Sequence, residues 1–323
     1  TASVITMAGA TPVFCDINMT DYHMSFESIK RMYSDKVKAI IYPHLFGNMS
    51  DVSKIKQFCQ EKKIHFIEDA CQSIGSSYNG VLAGTIGDIS TFSFNANKVI
   101  SGISGGGAII TDGDTEVFKK LRLFNAEVIN FRLKKLNEYI EGRQRVAKQY
   151  DEQLKDCVTI QEVPDGLNHN YHKYVIRLQN KEVRDRLKDR LGANVHYPKP
   201  IPDNKMYKDI EHKKDNLFIA KSVCDTVLTL PIHPYMKKDE VNKIINTILI
   251  FLEHENSKFV NNMKRVLGED LFDKNLINET TEDIYDYIIE KSYQLPSYIE
   301  DVSFNNKQKL KIAFNKFYYK NIE

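Results

Sequence analysis

The sequence predicts an α/β fold with a large, mostly parallel sheet, followed by a smaller α/β domain and a helical appendage. Short apolar segments alternate with a helix-like stretch between residues 11 and 112, which is typical of right-handed β-α-β units. A long helix-like stretch over 126–154 then connects to the smaller domain, and beyond Glu255 the composition shifts to Lys, Asn, Tyr and Ile. We expect three parts: residues 1–140, 141–255 and 256–323.

The elements of the first part follow from the spacing of apolar residues. Val52, Ile55, Phe58 and Cys59 fall on one face of a helix. Runs of β-branched and other apolar residues bounded by turn residues predict strands at 11–17, 36–45, 64–70, STFSF and GGGAIITD. Ligands of such sheets gather beyond the carboxyl ends of the strands. We therefore expect the functional residues at that edge.

The second part repeats the alternation on a smaller scale. YHKYVIRL predicts a strand, 181–191 a polar helix, and 218–227 a further helix, while Pro231 and Pro234 mark a break before a terminal helix. In the last part, Thr280 followed by Asp283 is typical of a helix N-cap. The sequence suggests no chemistry for residues 256–323.

Composition excludes several classes of function. The 323 residues carry a net charge of +2, with 27% charged residues, so charge favours neither a nucleic acid nor an anionic membrane as partner. The five cysteines are an odd number without close pairing, which favours a reducing compartment, and we expect a cytoplasmic protein. The apolar run around 248–252 is too short to span a bilayer.

Lys98 lies in the stretch SFNANKVISGISGGGAIITD, where it precedes a run of glycines. Glycines that bind nucleotide phosphates normally open a helix, whose N-terminal amides face the phosphate. Here Gly107 leads directly into the β-branched strand AIIT. This pattern argues against a P-loop and against a dinucleotide-binding fingerprint, so Lys98 requires another explanation.

Three side chains converge on one edge of the predicted sheet: Asp69 after a buried strand, Ser93 at the end of the next, and Lys98. A pyridoxal phosphate site needs such a set: a lysine that forms a Schiff base, a carboxylate that keeps the pyridine nitrogen protonated, and a hydroxyl for the phosphate. Each residue also has a simpler explanation. Lys98 could be a solvated surface residue, Asp69 a turn cap, and Ser93 a partner of backbone groups.

Several motifs resemble the DegT-type sugar-nucleotide aminotransferases, which are fold-type-I pyridoxal phosphate enzymes. They are AGATPVFCDI, HLFGNMSD, EDACQSIGS, SFNANKVISGISGGGAIITD, VHYPKPIP and LPIHPYM, and they cover residues 1–252. The resemblance implies that Lys98 is the Schiff-base lysine and Asp69 the partner of the pyridine nitrogen. It also implies that Gln72 donates a hydrogen bond beside the ring, that Ser93 binds the phosphate, and that Cys71 packs against the ring face.

Other polar residues are assigned with alternatives left open. The resemblance places His196 and Tyr197 in the substrate cleft, although an aromatic pair beside two prolines could equally be a packed loop. Glu68 alternates to the strand face opposite Asp69 and is expected to be structural. His44, His172 and His233 show no metal-ligand spacing, and we assign no metal.

The resemblance implies amino transfer from glutamate to a nucleotide-linked keto-deoxysugar by a homodimer with shared active sites. NANKVIS resembles members that aminate C4, and HYPKPIP some that aminate C3; C4 is favoured. Related dehydratases carry histidine in place of this lysine, so the presence of Lys98 argues against dehydratase activity. A non-catalytic paralogue with a binding or regulatory role remains an alternative. The family's phosphate-binding loop before Thr1 and a segment between Asn125 and Ala126 have no counterpart here. If both segments are lost, the affinity for the cofactor phosphate should fall sharply. If they exist and are flexible, which is the favoured explanation, we expect a spatial break in the chain between those two residues.

Overall fold

The computed structural model describes residues 1–103, 105–111 and 126–267, with side chains described only as far as Glu255. The chain divides into two units, Thr1–Leu252 and Glu253–Glu323. Asn125 and the predicted helix cap at Thr280 lie outside the described residues, so the expected chain break and the cap stay predictions. The boundary expected near residue 140 also stays a prediction.

Eight helices and twelve strands make up the described part of the chain. The helices are α1 Ala2–Met7, α2 Phe26–Met32, α3 Ser53–Lys62, α4 Ala126–Leu133, α5 Leu136–Leu154, α6 Lys181–Leu191, α7 Phe218–Thr226 and α8 Lys238–Leu267. The strands are β1 Val13–Phe14, β2 Ala39–Pro43, β3 His65–Asp69, β4 Ser77–Tyr78, β5 Val81–Leu82, β6 Ile89–Ser93, β7 Gly107–Thr111, β8 Thr159–Ile160, β9 Leu167–Asn168, β10 Tyr174–Arg177, β11 Lys213–Lys214 and β12 Val227–Leu230.

The main sheet has the strand order β2-β3-β6-β7. The first three strands are parallel, and β7 pairs antiparallel with β6. Helices α2 and α3 cover one face, where the buried side chains of Ile29, Ile55 and Phe66 belong to one apolar cluster. The α/β fold with a mostly parallel sheet is confirmed. Strands β2, β3 and β7 are shorter than predicted at both ends, whereas β6 has the predicted length and begins one residue earlier than STFSF.

The second sheet, β12-β10-β8, is antiparallel. All four residues of β10 and of β12 are buried, because α5, α6 and α8 contribute Val146, Leu187 and Ile245 to the same apolar cluster. The α/β character expected for this region is therefore confirmed. Two smaller sheets, β1-β11 and β5-β4-β9, complete the described strands.

The single helix predicted over 126–154 is wrong. The structure has two helices, α4 and α5, separated at Lys134 and Lys135. The backbone N–H of Lys135 bonds to the carbonyl of Arg132, three residues back instead of four, and this tighter bond ends the first helix. Apolar periodicity does not register such a break, because Ile129, Leu133, Leu136 and Ile140 continue the helical spacing across it.

Gly142 occupies the middle of α5 because another chain segment passes close to it. A Cβ atom at this position would lie 2.7 Å from both the Cβ and the carbonyl oxygen of Pro234. Such contacts are too short for carbon, so only glycine permits this approach. The glycine that interrupts the helical pattern thus joins α5 to the turn before α8.

Two general expectations can be compared with the structure. None of the helices described is long and apolar enough to cross a membrane. All five cysteines are free thiols in the structure.

Candidate active site

The carboxyl ends of the three parallel strands bring the predicted site residues to one edge of the sheet. Asp69 ends β3, where it lies in register with Pro43 of β2 and Thr91 of β6. Ser93 ends β6 two residues further on, paired with Gly107 of β7. Its hydroxyl accepts a hydrogen bond of 3.4 Å from the backbone N–H of Asn95. The edge predicted from the sequence is therefore formed.

Asp69 presents a partly exposed carboxylate at this edge. Its Oδ1 accepts from the backbone N–H of Cys71 at 3.2 Å, and its Oδ2 accepts from the Thr1 hydroxyl. Burial alone would raise the pKa of Asp69, but the hydrogen bonds from Cys71 and Thr1 hold it below its usual value. The carboxylate is therefore ionised at neutral pH.

Lys98 lies on the connection between β6 and β7. Two backbone hydrogen bonds of 2.8 Å close the base of this loop, one from Phe94 N to Gly106 O and one from Gly102 N to Phe94 O. The half-buried Lys98 amine has no hydrogen-bond or ion-pair partner among the residues that the structure describes. Burial lowers the pKa of this amine, although the negative charge of Asp69 acts in the opposite direction. A larger fraction of the amine is thus neutral and nucleophilic than in solution.

Cys71 fills the space between the strand ends. Its Sγ atom lies 3.7 Å from both the carbonyl oxygen and the hydroxyl of Thr91. Burial and the negative charge of Asp69 raise the pKa of this thiol to about 11. The group is therefore neutral at physiological pH, which does not favour nucleophilic attack by this thiol.

Gln72 connects the strand edge to the VHYPKP segment. Its Oε1 accepts from the backbone N–H of Phe46 at 2.8 Å, and its Nε2 donates to the Tyr197 hydroxyl at 3.4 Å. The Phe46 and Tyr197 rings are stacked, with centroids 6.5 Å apart. The structure thus brings Gln72 and Tyr197 together.

The conformation of the HLFGN segment explains its glycine. Gly47 has φ of +89°, and a Cβ atom there would lie 1.8 Å from Oδ1 of Asn170. The Asn170 amide in turn donates to the carbonyls of Gln72 and Ile74. Only glycine fits this backbone and this contact, so the segment is fixed against the loop that carries Gln72.

His196 borders a cavity next to this group. Its Nδ1 atom lies 2.9 Å from the Thr229 hydroxyl, and burial followed by the charge of Lys173 lowers its pKa. His172 and Lys173 border the same cavity. The sequence predicts no role for Lys173, because nothing in the strand YHKYV indicates that this lysine borders a cavity.

Glu68 is buried on the other face of β3, as its alternation with Asp69 predicts. Its carboxylate accepts from the backbone N–H groups of Gly84, Ile86 and Gly87 at 2.9, 2.7 and 2.5 Å. Burial would raise the pKa of Glu68, but the hydrogen bond from His44 and these amides hold it at about 2. Glu68 therefore anchors the loop before β6 and contributes no group of its own to the candidate site.

Within the described ranges, no three His, Cys, Asp or Glu side chains cluster as metal ligands would. The strand edge instead joins an ionised carboxylate, a nucleophilic amine, an amide and a hydroxyl. This set can form a covalent bond to a carbonyl compound and stabilise positive charge close to it. These capabilities define a class: an enzyme that processes amines and carbonyl groups through a lysine.

Comparison with known proteins identifies the family. The model of the DegT/DnrJ/EryC1/StrS aminotransferase family matches residues 1–129 and 117–249, and the chain belongs to this family. The chain is 29% identical to the pleiotropic regulatory protein of Geobacillus stearothermophilus. The match covers 79% of this chain and 76% of that protein.

A second relative and one solved structure extend this result. The chain is 30% identical to the UDP-N-acetyl-3-dehydro-alpha-D-glucosamine 3-aminotransferase of Acidithiobacillus ferrooxidans. The match covers 77% of this chain and 73% of that enzyme. The crystal structure of a DegT DnrJ EryC1 StrS aminotransferase from Brucella abortus is 29% identical. It covers 77% of this chain and 76% of its own, with a TM-score of 0.69. The fold-type-I architecture is confirmed.

The residues present fit the pyridoxal phosphate that the family uses. The amine of Lys98 has a lowered pKa and no competing partner in the described part of the chain, and Asp69 keeps the negative charge that a protonated ring nitrogen requires. The prediction of a pyridoxal-phosphate-dependent aminotransferase is confirmed. The individual roles of Lys98, Asp69, Gln72, Ser93, Cys71, His196 and Tyr197 stay predictions.

Proposed function

We propose that the protein transfers an amino group from glutamate to C4 of a nucleotide-linked keto-deoxysugar. The observation that carries this proposal is the Lys98 amine, half-buried and without a hydrogen-bond or ion-pair partner among the described residues, near the ionised Asp69. The sugar class is supported by the name of the relative from Acidithiobacillus ferrooxidans. Glutamate as donor rests on the family resemblance.

Each residue at the strand edge has a separate role in the proposed reaction. Lys98 Nζ would hold the cofactor and, as a free amine, would take the α-proton of the donor. Its lowered pKa favours the neutral form that this step needs. When bound, the cofactor supplies an electron sink for the electron pair that remains on the α-carbon after this proton is removed. Ser93 holds its phosphate and Asp69 keeps its ring nitrogen protonated.

The remaining residues orient the groups that react. Gln72 hydrogen-bonds both the Phe46 backbone and Tyr197, so it couples the ring-side position to the VHYPKP segment. His196 and Tyr197 line the cleft in which the sugar binds. Cys71, neutral and partly buried, excludes water from the ring face.

Covalent trapping tests the role of Lys98. The full-length protein is incubated with pyridoxal phosphate, reduced with borohydride and mapped by peptide mass spectrometry. We expect the reduced adduct on Lys98, and no turnover in Lys98→Ala. An adduct on a different lysine, or near-wild-type activity of Lys98→Ala, would overturn the assignment.

The position of amination has a separate test. The protein is incubated with glutamate and either a 4-keto or a 3-keto nucleotide sugar, and the product is examined by NMR. We expect a new amine at C4. The relative from Acidithiobacillus ferrooxidans is named as a 3-aminotransferase, so an amine at C3 would support the alternative position and reject ours.

A homodimer with shared active sites is part of the proposal. Mixing Lys98→Ala subunits with subunits that carry a defect in a residue contributed across the dimer interface tests it, because one site of such a hybrid then retains both residues. A monomer by light scattering at working concentration would contradict it. A regulatory role without catalysis is the second candidate, since one relative is named a regulatory protein. A protein that folds and takes up no cofactor would favour that role.

A further inference from the structure

A cavity of about 240 Å³ lies beside the candidate site and is lined on one side by positively charged and imidazole groups. Its polar lining comes from His172, Lys173, Asn194, His196 and Thr229, and the lining contains no aspartate or glutamate. The cavity walls are the start of β10, the segment after α6 and the end of β12. An anion entering this space would meet no carboxylate on the walls.

Lys173 is the charged group of this lining. Its side chain is half-buried, and its amine has no hydrogen bond or ion pair to any residue that the structure describes. Its backbone N–H donates to the carbonyl of Phe46 at 3.0 Å, which fixes the start of β10 against the HLFGN segment. The lysine is therefore anchored by its main chain while its amine is left for a ligand.

Arg143 places a second positive charge behind the cavity wall. Its side chain is 9% exposed, and its Nη1 donates to the carbonyls of Tyr171 and Ile232 at 2.9 and 3.1 Å. Its Nε atom is buried without a partner in the described chain. Neutral carbonyl groups satisfy hydrogen bonds but do not cancel a charge, so the positive potential of Arg143 extends toward the cavity.

The positively charged groups around the cavity lower one another's pKa values. The pKa of Lys173 is lowered by burial and by the charges of Arg143 and Lys98. The pKa of His172 falls to about 2 through burial and the charges of Lys98, Lys173 and Arg143. Partly buried charges without counter-charge are costly. Binding of an anion relieves this cost, whereas binding of a cation or a neutral group does not.

We propose that this cavity is the subsite for a carboxylate of the amino donor, and of the keto acid formed from it, with Lys173 as the residue that binds it. The proposal rests on the proposed function, because it deepens the donor half of that reaction. The volume fits a small acid, since pockets for larger ligands usually measure about 300–1,000 Å³. A phosphate of the nucleotide sugar has related chemistry, and the experiment separates the two sources.

Binding of unreactive anions to the full-length protein tests the subsite. Glutarate, butyrate and inorganic pyrophosphate are titrated by calorimetry into wild type, Lys173→Met, Lys173→Arg and the control Lys221→Met, which removes an exposed lysine on α7. We expect glutarate to bind at least about tenfold more weakly to Lys173→Met, which corresponds to about 1.4 kcal/mol. Lys173→Arg retains the charge and should recover most of the affinity, and Lys221→Met should match wild type.

The other outcomes overturn the proposal. Glutarate affinity that is equal in wild type and Lys173→Met would remove Lys173 from the subsite, as would wild-type protein that binds no glutarate. A loss confined to pyrophosphate would assign the cavity to the nucleotide phosphates. Lys173→Met relieves repulsion, so we expect it to fold. An increase in the His196 pKa, followed by NMR, gives a second readout of the removed charge.

Kinetics separate this proposal from the proposed function. If amino transfer occurs and Lys173→Met leaves the KM for glutamate unchanged, the subsite is wrong while the function stands. If no amino transfer occurs but glutarate binding still depends on Lys173, the function is wrong while the anion site stands. We expect the KM for glutamate to increase at least about tenfold, with the KM for the sugar unchanged.

Discussion

His44 Nε2 lies 2.9 Å from Glu68 Oε1, and neither side chain is exposed to solvent. Burial lowers the pKa of His44 despite the hydrogen bond to Glu68, so the neutral imidazole donates to an ionised carboxylate. The His44 backbone N–H also donates to the carbonyl of Asp69 at 3.1 Å. The pair therefore fixes the strand end on which the candidate site is built.

Replacing Glu68 by glutamine should strongly destabilise the protein. The NH₂ group of the glutamine would face backbone N–H donors such as Gly87, which then lose their acceptor. The substitution would also remove the negative charge that interacts with these donors and with His44. We expect the free energy of unfolding to fall by about 3–5 kcal/mol, measured by urea denaturation. The exposed Glu27→Gln on α2 is the control and should leave the urea midpoint unchanged. A loss of less than about 1 kcal/mol from Glu68→Gln would contradict the role of Glu68.

Asp69→Asn should separate cofactor binding from turnover. Asparagine keeps the shape and the hydrogen bond from the Cys71 backbone, but it lacks the negative charge that holds a proton on the ring nitrogen. We expect kcat to fall by at least about 100-fold, as for other removed electrostatic groups, while the borohydride adduct on Lys98 still forms. Unchanged kcat in a folded variant would show that Asp69 merely caps a turn.

Gly142→Ala should destabilise α5 even though alanine is the better helix former. The added Cβ atom would meet Pro234 at 2.7 Å, and overpacking of this kind costs about 1–3 kcal/mol. The gain in helix propensity offsets only about 1 kcal/mol. Thermal unfolding should therefore occur at lower temperature than in wild type. The exposed Glu141→Ala in the same helix is the control, and a Gly142→Ala protein as stable as wild type would show that the turn at Pro234 moves freely.

Two buried histidines should make stability fall as the pH falls below 6.5. Burial lowers the pKa of His169 to about 3 and that of His172 to about 2, whereas in the unfolded chain both take up protons near pH 6.5. Between these values the unfolded state binds more protons, so the free energy of unfolding increases with pH. It should reach its full value above pH 6.5.

Urea titrations at pH 7.5, 6.0 and 5.0 check this expectation. In His169→Asn the amide oxygen can accept the bond from Tyr171 N that the imidazole now accepts at 2.8 Å. The pH dependence should then be weaker by up to about 1.4 kcal/mol per pH unit. An unchanged slope would show that His169 protonates in the folded protein.

The sequence predicts the main sheet and most of the site because both rest on local signals. Asp69 and Ser93 each follow an apolar strand, and parallel strands bring such ends together. The break at Lys135 and the role of Lys173 could not be predicted in this way. The break rests on a local change of hydrogen bonding, from Lys135 N–H to the Arg132 carbonyl, that leaves the apolar spacing unchanged. The position of Lys173 depends on groups around its cavity that are distant along the chain.

The antiparallel pairing of β6 and β7 has a consequence for protein engineering. Both ends of the Lys98 loop are clamped, at Phe94 and Gly106, so the intervening chain acts as a tether of fixed length between the lysine and the sheet. Deleting one residue between Phe94 and Lys98 would change how far the amine extends from the strand that ends at Ser93. If Lys98 forms the covalent bond as proposed, the length of this segment is then one determinant of whether the scaffold carries out covalent chemistry or only binds its ligands.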